Sequence, residues 1–332
     1  MTHQNDRLRR LFEGWCYLWA GEEPPWSLAL VRIGLGLVLL WDFSSVAWLG
    51  LVEVLWAPYE AGGLVDLLQR MPIPPVYRVL PPVAGTAWGL AGVMWVGALL
   101  LALGVATRWV ALVLVLVSAQ LALITPNSDR GIDMMMRNVL LILVFSGAGQ
   151  AWSLGAWWRR RRGGEAVVRI LAWPRRLLLF QLVLMYFAAG VQKVGSVWLP
   201  VGDFAAIYII LHDPMIARFK PAFGPVLWRL SQLGTVGTLI FEWGTPMILL
   251  AAWYRHTRLR GGRLRAHFNR LEAGRLIVAL GVLLHLGIAA SMNLGIFPWA
   301  MLALYPAFFH PDEVGALWRT ARRYSGAIKE PS

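Results

Sequence analysis

Lys193 is the residue whose type and setting most invite chemistry. Tyr186 stands seven positions before it, with Ala189 and Gly190 between, so one helical face carries a tyrosine, two small residues and a lysine. Small residues let a neighbouring helix come close, which would turn this lysine into the protein. A desolvated lysine sheds its charge readily and becomes a base at neutral pH. The competing reading is a lysine whose long stem reaches out to a polar surface.

Five further ionisable residues, Asp42, Asp133, Arg137, Glu242 and His285, interrupt apolar stretches. Such groups are costly at membrane depth, so each is a candidate until a plain partner accounts for it. Glu242 is the carboxylate that would most economically neutralise Lys193. Asp133 and Arg137 are four apart, and an ion pair along one helix accounts for both. Asp42 reads either as a site residue or as a residue at the outer interface. His285 reads as a hydrogen-bonded interior histidine or as a group that moves a proton or touches a ligand. Arg32 is near enough to the end of its apolar run to snorkel out. The six histidines show no i,i+4 ligand pairing, so no metal is expected. No phosphate loop, dinucleotide fingerprint or serine elbow is present, and the single cysteine, Cys16, excludes an intramolecular disulfide.

The elements that must position these residues are set by composition. Of 332 residues 58% are hydrophobic and 15% charged, and the mean hydropathy is +0.57. A soluble chain is nearer ~25% charged, so the solvent for this surface is lipid. The expected fold is all-α, a polytopic transmembrane bundle of eight spans. They are Trp26–Leu49, Val83–Leu103, Trp109–Ile124, Asp133–Phe145, Leu177–Val194, Val236–Trp253, Leu276–Ala290 and Phe297–Phe309. The first run lacks a cleavage site and reads as a retained span. Residues 1–25 read as an interfacial amphipathic helix, with Leu11, Phe12, Trp15, Leu18 and Trp19 at helical spacing. Residues 26–310 form the membrane domain and 311–332 a short cytoplasmic tail. The outer segment 52–82 reads as irregular or partly interfacial, and Phe204–Leu211 and Pro225–Leu233 as short helices on the membrane surface.

The net charge of +13 is read as membrane orientation rather than nucleic-acid binding. With both termini inside, 22 of the 31 lysines and arginines fall on the cytoplasmic side and 7 outside, Arg32 and Lys193 lying within spans. The partner is therefore the lipid bilayer of a cell (plasma) membrane, and arginine-rich, lysine-poor usage points to a bacterium. Oligomeric state is left open.

The stretch Y-F-A-A-G-V-Q-K (Tyr186–Lys193), followed by Trp198 and Gly202, resembles the vitamin K-dependent gamma-carboxylase and its bacterial relatives, the HTTM (horizontally transferred transmembrane) domain proteins. Other pieces agree in order: V-R-I-G-L-G-L-V-L-L-W-D, L-G-V-A-T-R, T-P-N-S-D-R-G-I-D-M-M-M-R-N, W-S-L, F-E-W-G-T-P, L-L-H-L-G-I and L-G-I-F-P-W-A-M. The resemblance implies a lysine, matched by Lys193, that deprotonates reduced vitamin K. It also implies a quinone-type cofactor and a small or peptide substrate. Joined with the ionisable residues read above, the candidate site is Lys193, Glu242 and His285, with Tyr186, Asp42, Asp133, Arg137 and Trp198 about it. The carboxylase has a lysine where this chain has Gln192, and a histidine-bearing segment where it has Asn127, Asp129 and Asp133. The expectation that carries over is the membrane fold and a lysine-based quinone chemistry. Its competitor is a non-catalytic scaffold, export or immunity partner; a secondary transporter is weaker, because no internal repeat is visible.

The topology is open to direct test. In a Cys16→Ala background, cysteine at Arg160 or Arg263 should resist membrane-impermeant thiol reagents in intact cells, while cysteine at Asp129 or Asp213 should react. The reverse pattern would sink the eight-span arrangement.

Overall fold

The computed structural model describes Arg9 and residues 12–16, 19–67, 72–164, 169–219 and 224–327, with side chains to residue 320. The chain is mostly helical. Among the described residues five helical stretches are long and apolar enough to cross a membrane, or six if a bent pair counts as one span. In the N-terminal segment, Arg9 and residues 12–16 and 19–20 are helical and Phe12, Trp15 and Trp19 are exposed, while residues 21–25 are not helical; Leu11 and Leu18 lie outside the described residues. Two compact units divide the chain, residues 1–176 with 309–332, and residues 177–308.

The first unit is built on α1 (Trp26–Trp48), α2 (Leu51–Trp56), α3 (Ala84–Leu103), α4 (Thr107–Ile124), α5 (Gly131–Phe145) and α6 (Leu154–Arg161). Gly36 sets the crossing of α1 on α3, since a Cβ there would stand 2.6 Å from the Ala102 backbone nitrogen. The segment 52–82 is less irregular than its prolines suggest. It holds α2 and two 3₁₀ turns, and is tied to helix ends by Tyr77 on the Trp56 carbonyl and Thr125 on the Leu55 carbonyl. Burial raises the Tyr77 phenol above its ordinary pKa.

Arg32 does not snorkel. Its side chain is fully buried and donates to five carbonyls, Leu101 and Ala102 at 2.6 Å, Trp152 at 2.7 Å, Ala148 at 3.3 Å and Ala151 at 3.4 Å. Two of these belong to the last turn of α3, where the Leu101 carbonyl has besides Arg32 only the capping N–H of Gly104. Gly104 ends that helix at φ +71, and a Cβ there would run into Arg32 and Ser153. Arg175 is likewise no free topological charge. It forms a buried fork with Glu23 at 2.7 and 2.8 Å, beside a two-residue ribbon of β1 (Glu22–Glu23) and β2 (Ile170–Leu171). The residues after 310 are not a plain tail: Pro311–Ala327 is helical, and Trp318 meets Trp152 at 5.4 Å between ring centres.

The second unit begins within α7 (Trp173–Val191) and continues through α8 (Ala206–Ile210), α9 (Pro225–Gly244), α10 (Pro246–His256), α11 (Arg263–Leu271), α12 (Ala273–Ser291) and α13 (Phe297–Leu304). Phe204–Leu211 does contain a short helix, α8. Pro225–Leu233, expected as a separate surface helix, is instead the first half of α9, because nothing between Leu233 and Val236 breaks the backbone. The break comes later: α9 and α10 bend by 46° at Thr245. Pro246 has no N–H to offer the Glu242 carbonyl four residues back. The Thr245 hydroxyl fills that vacancy, donating to Glu242 O at 2.8 Å.

Replacing Arg32 by methionine keeps the volume and removes every one of these donors. With each orphaned carbonyl costing about 1–3 kcal/mol, Arg32→Met should lower the thermal midpoint of the detergent-purified protein sharply or abolish monodisperse expression. A midpoint within a degree of wild type would show that the guanidinium is not structural.

Candidate functional site

In the second unit, α7 and α9 meet at Gly190. A Cβ at this position would lie 2.5 Å from Trp243 Cδ1 and 2.9 Å from Glu242 Cβ, so only glycine allows the approach. One turn on, Lys193 Nζ sits 2.7 Å from each carboxylate oxygen of Glu242. It also donates to the Ala189 carbonyl at 3.3 Å and lies 5.1 Å from the centre of the Trp198 ring. The lysine side chain is 20% exposed and the glutamate 8%. The amine is thus held from inside and open on one side.

Two turns back along α7, the Tyr186 hydroxyl lies 2.6 Å from His285 Nε2 and 3.2 Å from the Tyr305 hydroxyl. All three side chains are buried, and Phe241 packs edge-on against Tyr186 at 4.6 Å between ring centres. Gly281 makes room for both Phe241 and the Tyr305 hydroxyl. His285 therefore bonds to Tyr186, not to Lys193, and its Nδ1 has no partner among the described residues. Tyr305 was missed in the sequence, where a tyrosine in a short apolar run carries no distinguishing signal.

The remaining candidates gather in the first unit around an arginine that sequence reasoning had counted only as an outer charge. Arg130 bonds to Asp42 at 2.6 Å and to both oxygens of Asp133 at 2.8 Å. Asp133 also accepts the Arg130 backbone N–H at 2.9 Å, closing the start of α5. Burial alone would lower the Arg130 pKa; the hydrogen bonds to Asp133 and Asp42 outweigh it and hold the guanidinium above its ordinary value. The expected Asp133–Arg137 pair is not made. Arg137 instead forks onto Asp129 at 2.6 and 2.7 Å, because Asp133 is turned back onto the helix start by Arg130. The usable signal was the spacing of Arg130 and Asp133, three apart across a helix N-terminus.

These five charged residues line a cavity of about 320 Å³ whose other walls include Leu39, Met94 and Leu140. Apolar walls with a few convergent polar groups are the usual make-up of a small-molecule site. Among the described residues no group of histidine, cysteine and acidic side chains is arranged to hold a metal ion.

A family model described as the HTTM domain matches residues 22–313. The chain belongs to the HTTM-domain family. With its apolar helices, this makes it an integral, multi-pass membrane protein. No solved structure matches it. The HTTM domain spans both the Lys193–Glu242 pair and the Asp–Arg cavity.

Gly190→Ala should cost about 1–3 kcal/mol, the usual penalty for overpacking. Gly89→Ala, in α3 with nothing within 4 Å of the added carbon, should be neutral or stabilising, as alanine favours helix. Thermal midpoints in one detergent compare the two; equal midpoints would mean that the α7–α9 approach is not tight.

Proposed function

We propose that this HTTM-domain protein is a membrane enzyme in which Lys193 is a base facing the outer side, acting on a reduced, lipid-soluble quinone of the vitamin K type. The observation that carries the reading is the half-enclosed Lys193–Glu242 pair. A snorkelling lysine would extend away from the protein and need no buried carboxylate. The donors suit such a cofactor: an accessible amine for a ring hydroxyl and the Trp198 face beside it for a flat ring. When bound, the reduced quinone would supply an acidic hydroxyl and reducing equivalents. With its proton released to water on the open side, Lys193 Nζ removes the hydroxyl proton, and the Glu242 carboxylate, ionised throughout, stabilises the ammonium that results. Tyr186 and His285, two turns along the same helix, serve as the buried hydrogen-bonded floor of the site. In the first unit, the cavity of Asp42, Asp133 and Arg137 suits the polar groups of a small or peptide substrate.

The same reading places the protein in a bacterial plasma membrane with eight spans and both termini cytoplasmic. Six come from the long helices and the bent pair, and two from the shorter α5 and from α13 with the turn after it. What supports this count is the bias of arginine toward one side. Neither short helix reaches the ~20 residues of a perpendicular crossing, so both would lean on protein neighbours.

Lys193→Arg separates the base from a structural charge. Arginine keeps the ion pair with Glu242 but cannot act as a base at neutral pH. The variant should purify and unfold like wild type yet lose turnover of a reduced menaquinone analogue, as Lys193→Ala should. Wild-type oxidation of the analogue by the arginine variant would end the enzyme reading and favour a non-catalytic scaffold.

A further inference from the structure

The first unit holds a second cavity, of about 590 Å³, that the proposed chemistry does not use. It opens between the start of α4 and the loop and helix around α6, and Thr107, Arg108, Gln150 and Arg159 line it. No carboxylate contributes to the lining, and neither Arg108 nor Arg159 has an acidic partner among the described residues. Two lining groups are buried with no hydrogen-bond partner among the described residues: Thr107 Oγ1, on a residue only 7% exposed, and Arg159 Nε. Arg159 is held in place by Gln150, whose side-chain oxygen accepts at 2.5 Å and whose carbonyl accepts at 2.9 Å. The α4 N-terminus adds its own positive end, capped by no side chain.

The surroundings say what kind of anion fits. Trp109, Trp157 and Trp158 are exposed, and the guanidiniums of Arg161 and Arg162 lie over the latter two rings at 4.2 and 5.3 Å. Exposed tryptophans with arginines mark the headgroup level of a bilayer. Trp109, Phe145 and Leu171 give the cavity an apolar side as well. We propose that this cavity binds a phosphate group, supplied by the headgroup of an anionic phospholipid in the leaflet on the arginine-rich side. Basic pockets among membrane helices suit such headgroups, because both charge and apolar chain are accommodated at once.

The test is retention of lipid by the full-length protein, read by native mass spectrometry after exchange into detergent with phosphatidylglycerol or phosphatidylcholine. Wild type should keep one phosphatidylglycerol that phosphatidylcholine does not replace. The Arg108→Gln/Arg159→Gln double variant should lower that retention about tenfold or more, at roughly 1 kcal/mol per arginine. Arg160→Gln, which removes a neighbouring exposed charge, should retain lipid as wild type does. If the double variant fails to purify as a single species, Thr107→Val decides, since it keeps the charge and loses only the hydroxyl; it should weaken retention severalfold. Displacement of the lipid by inorganic phosphate alone, with the same dependence on Arg108 and Arg159, would keep the phosphate site and assign it a free anion. Equal retention of the two lipids, an Arg160→Gln loss as large as the double variant's, or full retention by Thr107→Val would each overturn the proposal.

Discussion

A bilayer offers no water to a charge or an unpaired carbonyl, so every such group that these helices carry inward must be answered by the chain itself. The structure meets that constraint in two ways. Arg32 answers carbonyls: its guanidinium gathers the end of α3 and the loop before α6 onto α1. The other inward charges answer one another, as Arg175 with Glu23, Arg130 with Asp42 and Asp133, Arg137 with Asp129, and Lys193 with Glu242. Each pair joins segments far apart in sequence or fixes a helix start. Charge here is placed by partner availability, and the apolar remainder of each helix is left free to face lipid.

That division explains what could be read in advance. The long helices were legible because hydropathy and length suffice to mark them, and the ends of α1, α3 and α4 fall within two residues of the apolar runs. The Tyr186–Lys193 face was legible because helical spacing and small residues are local facts, and Gly190 does carry the close approach that the pattern implied. The Asp133–Arg137 pair failed for a non-local reason. An i,i+4 rule knows nothing of Arg130, which claims Asp133 first by sitting at the helix start and reaching Asp42 across from α1. Arg32 failed similarly: position near a span end suggests snorkelling, whereas the carbonyls it satisfies are brought to it only by the end of α3 at Gly104 and by the loop before α6. The continuity of α9 past Leu233 was hidden because a mixed polar and apolar stretch reads as surface until its serine and threonine are seen bonding back to the helix at Trp228, Ser231 and Gly234.

The bend at Thr245 connects sequence to chemistry more closely than its length suggests. In F-E-W-G-T-P, Pro246 releases the carbonyl of the very residue whose side chain pairs with Lys193. The Thr245 hydroxyl answers that carbonyl and also reaches the Val183 carbonyl of α7 at 3.3 Å. Backbone and side chain of Glu242 are thereby fixed against the same neighbouring helix, one by threonine and one by lysine. Gly190 lets the two helices close at that level. A glutamate on an unbroken helix would have neither the freed carbonyl nor the threonine tie.

The paired arginines also bear on orientation. A positive-inside count treats every arginine as a free charge waiting at an interface, yet Arg175, Arg130 and Arg137 are committed to carboxylates within the fold. Setting them aside removes one residue from the arginine-rich side and two from the other, so the asymmetry widens. The arginines left on the rich side include Arg108 and Arg159, which have no acidic partner among the described residues and line the cavity at the start of α4. Charges that the fold does not use are the ones available to the membrane, and the bias among them supports the proposed placement of the termini.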